Sequence, residues 1–271
     1  MQEELFAALV AGPVTAMVCW LGPRLIARIP EPTPDVDPGS PTSTSAGAVP
    51  ATDEESAPAD DPLATDVSAA PPPAVTVKPL YADLAARPHL AWLLALVGAL
   101  TGGVVGARIG WQPVLVAWVF LSVIGVLLGY VDAQTRLLPT WIIAPSYGIL
   151  VILLAVAGLV DGDGDALIRS GLGWLAMGGF YFAMWFIYPK GLGYGDVRLS
   201  GLLGLALGYL GWSEVLVGMY SGFLLGGVGG GLLSLVKVFD RRRYPFGPFM
   251  LLGALVGLVW GQAFGAWYLD R

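Results

Sequence analysis

Two aspartates stand where a carboxylate is costly. Asp132 closes the apolar run LSVIGVLLGYVD, and Asp196 opens another in GLGYGDVRLSGLLGLALG. An acid at membrane depth points to function, because a charge in hydrocarbon is expensive unless it is used or paired. If the two runs pack as neighbouring helices, the carboxylates meet as a dyad, and two close carboxylates share one proton. One can then take a proton from water while the other donates to a peptide carbonyl oxygen. That is general acid–base hydrolysis of an amide without Ser, Cys or metal. The alternative is structural: both aspartates cap helices or pair with Arg136 and Arg198.

The composition removes competing chemistries. Cys19 is the single cysteine and His89 the single histidine, so there is no disulfide framework, no four-cysteine zinc site and no HExxH metalloprotease motif. Cys19 reads as a small buried hydrophobe. No metal and no cofactor are expected. No basic stripe or aromatic platform argues for nucleic acid.

The neighbours of the aspartates suit a site. Gly193 and Gly195 flank Tyr194 just before Asp196, and glycine there lets backbone approach a ligand and permits positive φ. Tyr194 is either a substrate wall or an aromatic at the lipid edge. Pro189 ends the preceding helix. Asp196 falls at a helix N-terminus, where the dipole favours negative charge. Beyond Asp132, Pro139 and Thr140 read as a turn and an N-cap.

The elements that must position these residues are membrane helices. Hydrophobic residues make up 56% of the chain and charged residues 13%, with mean hydropathy +0.71, which suits a bilayer and not a soluble core. Runs near 5–23, 90–107, 112–131, 141–160, 167–188, 197–212, 214–236 and 247–268 are apolar enough to span. The fold expected is all-α, a polytopic membrane protein of about eight transmembrane helices. The sixth run is short, so one end is expected inside the protein. The glycine run Gly226-Gly227-Val228-Gly229-Gly230-Gly231 reads as close helix packing, with a possible bend of the seventh run. With the N-terminus outside, eleven of the 14 Lys and Arg residues fall in cytoplasmic loops and three outside. That places Asp132 and Asp196 on the same, cytoplasmic face.

Three segments follow: a first helix in 1–29, a linker in 30–79, and a seven-helix core in 80–271. Residues 30–77 hold nine acids, eleven of the 21 prolines, and no Lys, Arg, Phe, Trp or Tyr. Such a segment cannot bury enough apolar surface to order itself and is expected to be disordered. The formal net charge of -6 belongs to it, and the rest of the chain is net positive. Asp83 reads as part of an interfacial helix and Asp240 as part of a solvated charge cluster.

The motifs resemble those of the type IV prepilin peptidases. Asp132-Ala-Gln-Thr-Arg136-Leu-Leu-Pro139 is similar to that family's first motif. Gly193-Tyr194-Gly195-Asp196-Val197-Arg198 is similar to the second, the GxGD signature shared with presenilin-like membrane proteases. Tyr244-Pro245-Phe246-Gly247-Pro248-Phe249 resembles the segment before the last helix, and GPRLIARIP (Gly22 to Pro30) the end of the first. The resemblance covers about residues 5–30 and 80–268.

It implies an aspartic endopeptidase of the bacterial cytoplasmic membrane that cuts the short basic leader from type IV prepilins and pseudopilins. Asp132 and Asp196 are then the catalytic pair. Gly193 and Gly195 shape the second aspartate's loop, and Phe246, Gly247 and Pro248 support the site. The chain departs from the family in three places. Arg198 stands where lysine is usual, Thr140 where an acid often follows the proline, and the linker where bifunctional members carry paired CxxC motifs. Zinc is excluded from such a lobe by the cysteine count, and S-adenosylmethionine-dependent N-methylation is not expected. Two other functions remain open: a transporter with paired carboxylates, and a scaffold that only binds pilin-like helices.

Overall fold

The computed structural model describes residues 2–31, 81–189, 191–229 and 245–270. The linker expected in 30–79 lies almost wholly outside the described residues, as do Lys190, residues 230–244 and Arg271. The described residues belong to the unit formed by Met1–Pro30 and Pro79–Arg271, apart from Glu31 at its edge.

That unit is helical. In chain order it runs α1 (Gln2–Trp20), α2 (Gly22–Ile26), α3 (Tyr81–Ala85), α4 (Leu90–Ile109), α5 (Leu115–Thr135), α6 (Thr140–Asp161), α7 (Gly164–Ile187), α8 (Tyr194–Leu210) and α9 (Trp212–Leu224). A π-helical turn, Leu225–Gly229, follows, and α10 (Gly247–Leu269) completes the unit. Six of these, α1, α4, α5, α6, α7 and α10, are long and apolar enough to cross a membrane. The chain is therefore a multi-pass membrane protein. All eight apolar runs contain helix, but α8 and α9 reach only 17 and 13 residues.

Glycine determines how the helices pair. Lipid tails are as apolar as leucine, so membrane helices associate where small residues let backbones close in. Gly98, Gly102 and Gly106 form one stripe of α4 under α1, and a Cβ on Gly106 would lie 2.5 Å from the Ala7 carbonyl oxygen. Gly204 of α8 faces Gly173 of α7, where a Cβ would meet the Gly173 oxygen at 2.5 Å. Gly257 of α10 closes on α9 in the same way, 2.6 Å from the Glu214 oxygen.

The pairs α1–α4, α7–α8 and α9–α10 are joined through α5, which packs against α1, α4, α6 and α10, and through α8, which packs against α6, α7, α9 and α10. From Val197 to Tyr209 nearly every α8 residue is buried. At 1.5 Å per residue α8 is about 26 Å long, less than the hydrocarbon thickness. Protein surrounds it, so its length need not match lipid.

One local expectation is revised. Thr140 is the first residue of α6, not its cap; Pro139, in extended conformation, holds the N-cap position. Asp163 accepts the Ala166 N–H at 2.9 Å and starts α7 two residues after α6 ends. The seventh run is not one continuous α-helix, because α9 passes into π geometry at Leu225. There Gly226 lies against the Phe246 ring, so close packing holds at that glycine. Gly230 and Gly231 lie outside the described residues.

Candidate active site

Asp132 sits in the last turn of α5, 4% exposed. The helix ends at Arg136, whose φ of 57° places it in the left-handed region, and the Arg136 N–H bonds the Asp132 carbonyl oxygen at 2.8 Å. Thr135 stiffens this turn: its hydroxyl donates to the Val131 oxygen at 2.8 Å and accepts the Leu137 N–H at 3.2 Å. The Asp132 carboxylate leaves its own helix. Its Oδ2 accepts the Gly247 N–H at 2.9 Å, at the first residue of α10. The first N–H groups of a helix have no partner within it, and an anion is favoured at that end. Asp132 thus caps α10 from α5. A Cβ on Gly247 would stand 2.8 Å from Oδ2, so glycine is what lets the carboxylate in.

Asp196, 7% exposed, is the third residue of α8. Its Oδ2 accepts the N–H of Gly193, the N-cap residue, at 3.1 Å. This is the acidic half of a capping box. Its Oδ1 is buried with no hydrogen-bond partner among the described residues. The two carboxylates lie within electrostatic reach of each other. The two aspartates stand more than sixty residues apart in the chain, and each accepts a backbone N–H at a helix N-terminus.

The glycines before Asp196 act differently from expectation. Gly193 has φ -75°, and Gly195 lies inside α8, so neither uses positive φ. Gly195 is required by packing. A Cβ there would stand 2.7 Å from that of Leu138, which precedes Pro139. The chain after Asp132 and the chain before Asp196 are pressed together at this point.

Other residues named from sequence divide into two groups. Phe246 and Gly247 are in the site, and Pro248 follows them into α10. Arg136 is near enough for its charge to act on Asp132. Arg198 and Tyr194 turn elsewhere: the Arg198 guanidinium lies 4.6 Å from the Tyr194 ring centroid and donates to the Thr140 hydroxyl. The Arg198 carbonyl accepts the Tyr147 hydroxyl at 2.6 Å, joining α8 to α6. Among the described residues neither aspartate forms an ion pair. Tyr194 is 46% exposed and leans on Trp185, 5.1 Å between centroids. Tyr244 lies outside the described residues.

Tyr181 was invisible in the sequence, where it is one aromatic in the stretch Phe180-Tyr181-Phe182 of an apolar run. It is 1% exposed, its hydroxyl donates to the Met219 oxygen at 3.3 Å, and its ring meets Phe246 edge-on at 6.0 Å. It lies within electrostatic reach of Asp196. Tyr181 therefore links the wall beside Asp196 to the segment that holds Asp132.

No family model and no solved structure matches the chain. Curated relatives do. The chain is 32% identical over 187 residues to a prepilin leader peptidase/N-methyltransferase of Aeromonas salmonicida, covering 66% of this chain and 60% of the relative. It is 32% identical over 169 residues to one of Aeromonas hydrophila, covering 60% and 54%. It is 29% identical over 188 residues to one of Stutzerimonas stutzeri, covering 66% and 61%. The chain thus spans about three fifths of the length of the curated relatives it matches. Over that shared part the chain is similar to proteins named prepilin leader peptidase/N-methyltransferase.

Proposed function

We propose that the protein is a membrane aspartic endopeptidase that removes the short basic leader from type IV prepilin-like or pseudopilin-like precursors. One observation carries the reading: Asp132 and Asp196 are two buried carboxylates from different helices, within electrostatic reach, each oriented by a backbone N–H at a helix N-terminus. Such a pair holds one proton between two oxygens. The ionised member takes a proton from water as it attacks the peptide carbonyl carbon, and the other donates to the carbonyl oxygen. As the gem-diol intermediate collapses, the aspartate that took the water proton gives it to the leaving amine and the other takes a proton from a gem-diol hydroxyl, so the dyad is restored. Burial strengthens both transfers by excluding bulk water.

The site is at the cytoplasmic face of a bacterial cytoplasmic membrane in this reading, with the N-terminus outside and eight spans. The bias of Lys and Arg supports that orientation. The reaction uses neither metal nor cofactor. Gly193, Gly195, Phe246, Gly247 and Pro248 shape the site, and Arg136 tunes Asp132.

A second reading comes from the relatives' names, which join the peptidase to an N-methyltransferase. The single cysteine of this chain argues against the paired-CxxC lobe, and so the peptidase alone is favoured. Intact mass of a prepilin-like substrate incubated with membranes tests both at once. Wild type should release the leader, and the mature fragment should carry no added methyl mass. Cutting that survives in both Asp132→Asn and Asp196→Asn would reject the dyad.

A further inference from the structure

A groove of about 340 Å³ opens on the face shared by α4, α5 and α10. Its floor is α5, where Gly125 and Gly129 lie one turn apart on one side of the helix, with Leu251 of α10 against both at 3.0 and 3.2 Å from their would-be Cβ positions. Its rim is Val97 of α4 and Leu252 of α10, 36% and 52% exposed, so the groove is open sideways toward lipid.

We propose that this groove seats the apolar transmembrane helix of the substrate, the segment that continues directly from the bond to be cut. The inference rests on the peptidase reading and adds where the substrate enters. Two observations carry it.

The first is continuity. Residues three or four apart share a helix face, so Gly125, Gly129 and Asp132 form one line along α5. On the other side Pro248 lines the groove next to Gly247, whose N–H holds the Asp132 carboxylate. The groove therefore runs along α5 toward Asp132 and stops at Gly129, Tyr130 and Pro248, within a turn of it, so a chain lying in it points its end toward the carboxylate. From Trp118 to Gly129 the floor runs about 16 Å, three helical turns.

The second is chemistry. No charged side chain lines the groove. Its three hydroxyls already donate to backbone oxygens: Ser122 to Trp118 at 2.8 Å, Thr101 to Val97 at 3.0 Å and Tyr130 to Leu84 at 3.5 Å. The Trp118 indole N–H has no partner among the described residues, but a charged ligand would find no opposite charge to pair with. An apolar helix satisfies its own backbone and needs nothing else.

The test uses the full chain in membranes and a prepilin-like protein with a basic leader and one apolar helix. A photo-crosslinking residue is placed at Leu252 in the Asp196→Asn background, with Leu159, 78% exposed on α6, as the control position. Substrate adducts are expected at Leu252 and not at Leu159. In the active chain, Gly125→Leu pushes Leu251 into the groove, and Leu252→Trp crowds the rim without touching the core. Both should raise KM for the full substrate about tenfold. A substrate peptide truncated shortly after the cut should be cleaved by both variants as by wild type.

Adducts to lipid alone, equal adducts at both positions, or an unshifted KM in both variants would overturn the groove. These outcomes leave the peptidase reading standing if wild type still cuts. Failure of wild type to cut either substrate removes that reading instead, while the adduct at Leu252 still reports whether the helix is seated.

Discussion

Asp132 Oδ2 accepts the Gly247 N–H at 2.9 Å across 115 residues of chain. One bond caps α10, fixes a carboxylate in a buried position, and ties the last long helix of the described chain to α5. Because the donor is backbone and the acceptor a side chain, the two ends of the bond can be tested separately.

Replacing the acceptor tests chemistry. Asn keeps an oxygen for the Gly247 N–H, and at Asp196 it keeps one for Gly193, so both variants should fold and insert. Neither can exchange a proton as a carboxyl does. Cleavage by Asp132→Asn or Asp196→Asn should fall by about 10³-fold or more, read as initial rates in membranes matched for enzyme content. Rates within a factor of about three of wild type would show that the aspartates serve structure only.

Replacing the donor residue tests position. Gly247→Ala retains the N–H but sets a Cβ 2.8 Å from Oδ2, so the carboxylate must move. The expected loss is in kcat, about ten- to a hundredfold, with KM little changed, because small misplacements of a reacting group are costly. A change confined to KM would place Gly247 in substrate binding.

Packing variants should behave otherwise. Gly204→Val drives side-chain atoms into the Gly173 backbone, where even a Cβ would stand 2.5 Å from the carbonyl oxygen. Since α7 and α8 cannot then close, thermal stability in detergent and activity should fall together. Overpacking of this kind costs about 1–3 kcal/mol. Lost activity with an unchanged melting curve would argue against a purely structural role for this contact.

Arg198 gives a milder result. Its guanidinium stacks on Tyr194 and bonds Thr140, and among the described residues it forms no ion pair with either aspartate. Lysine cannot reproduce a planar stacked contact. Arg198→Lys should therefore cost no more than about 1 kcal/mol of stability, the scale of an exposed cation–π contact. Activity should stay within about fivefold of wild type. A loss as large as that of Asp196→Asn would give Arg198 a role in the reaction.

The sequence by itself determined the class of the protein and the residues most worth testing. Hydropathy marks the helices because any segment that crosses hydrocarbon must be apolar and satisfy its own backbone, and this is readable locally. Asp132 and Asp196 stood out for the same reason: an acid at the end of an apolar run has few bland explanations. The tertiary structure decided what each of them touches. That Asp132 caps α10, that Tyr181 lies beside Asp196, and that Arg198 turns to Tyr194 and Thr140 all depend on which helices meet and how each is rotated. Those choices come from glycine stripes such as Gly98–Gly102–Gly106 and Gly173 against Gly204, whose effect exists only when the partner helix is present. Likewise Gly195, which looked like a residue chosen for backbone freedom, is glycine because Leu138 leaves no room for a side chain. A contact between residues far apart in the chain has no local signature, so only the packed helices could reveal it.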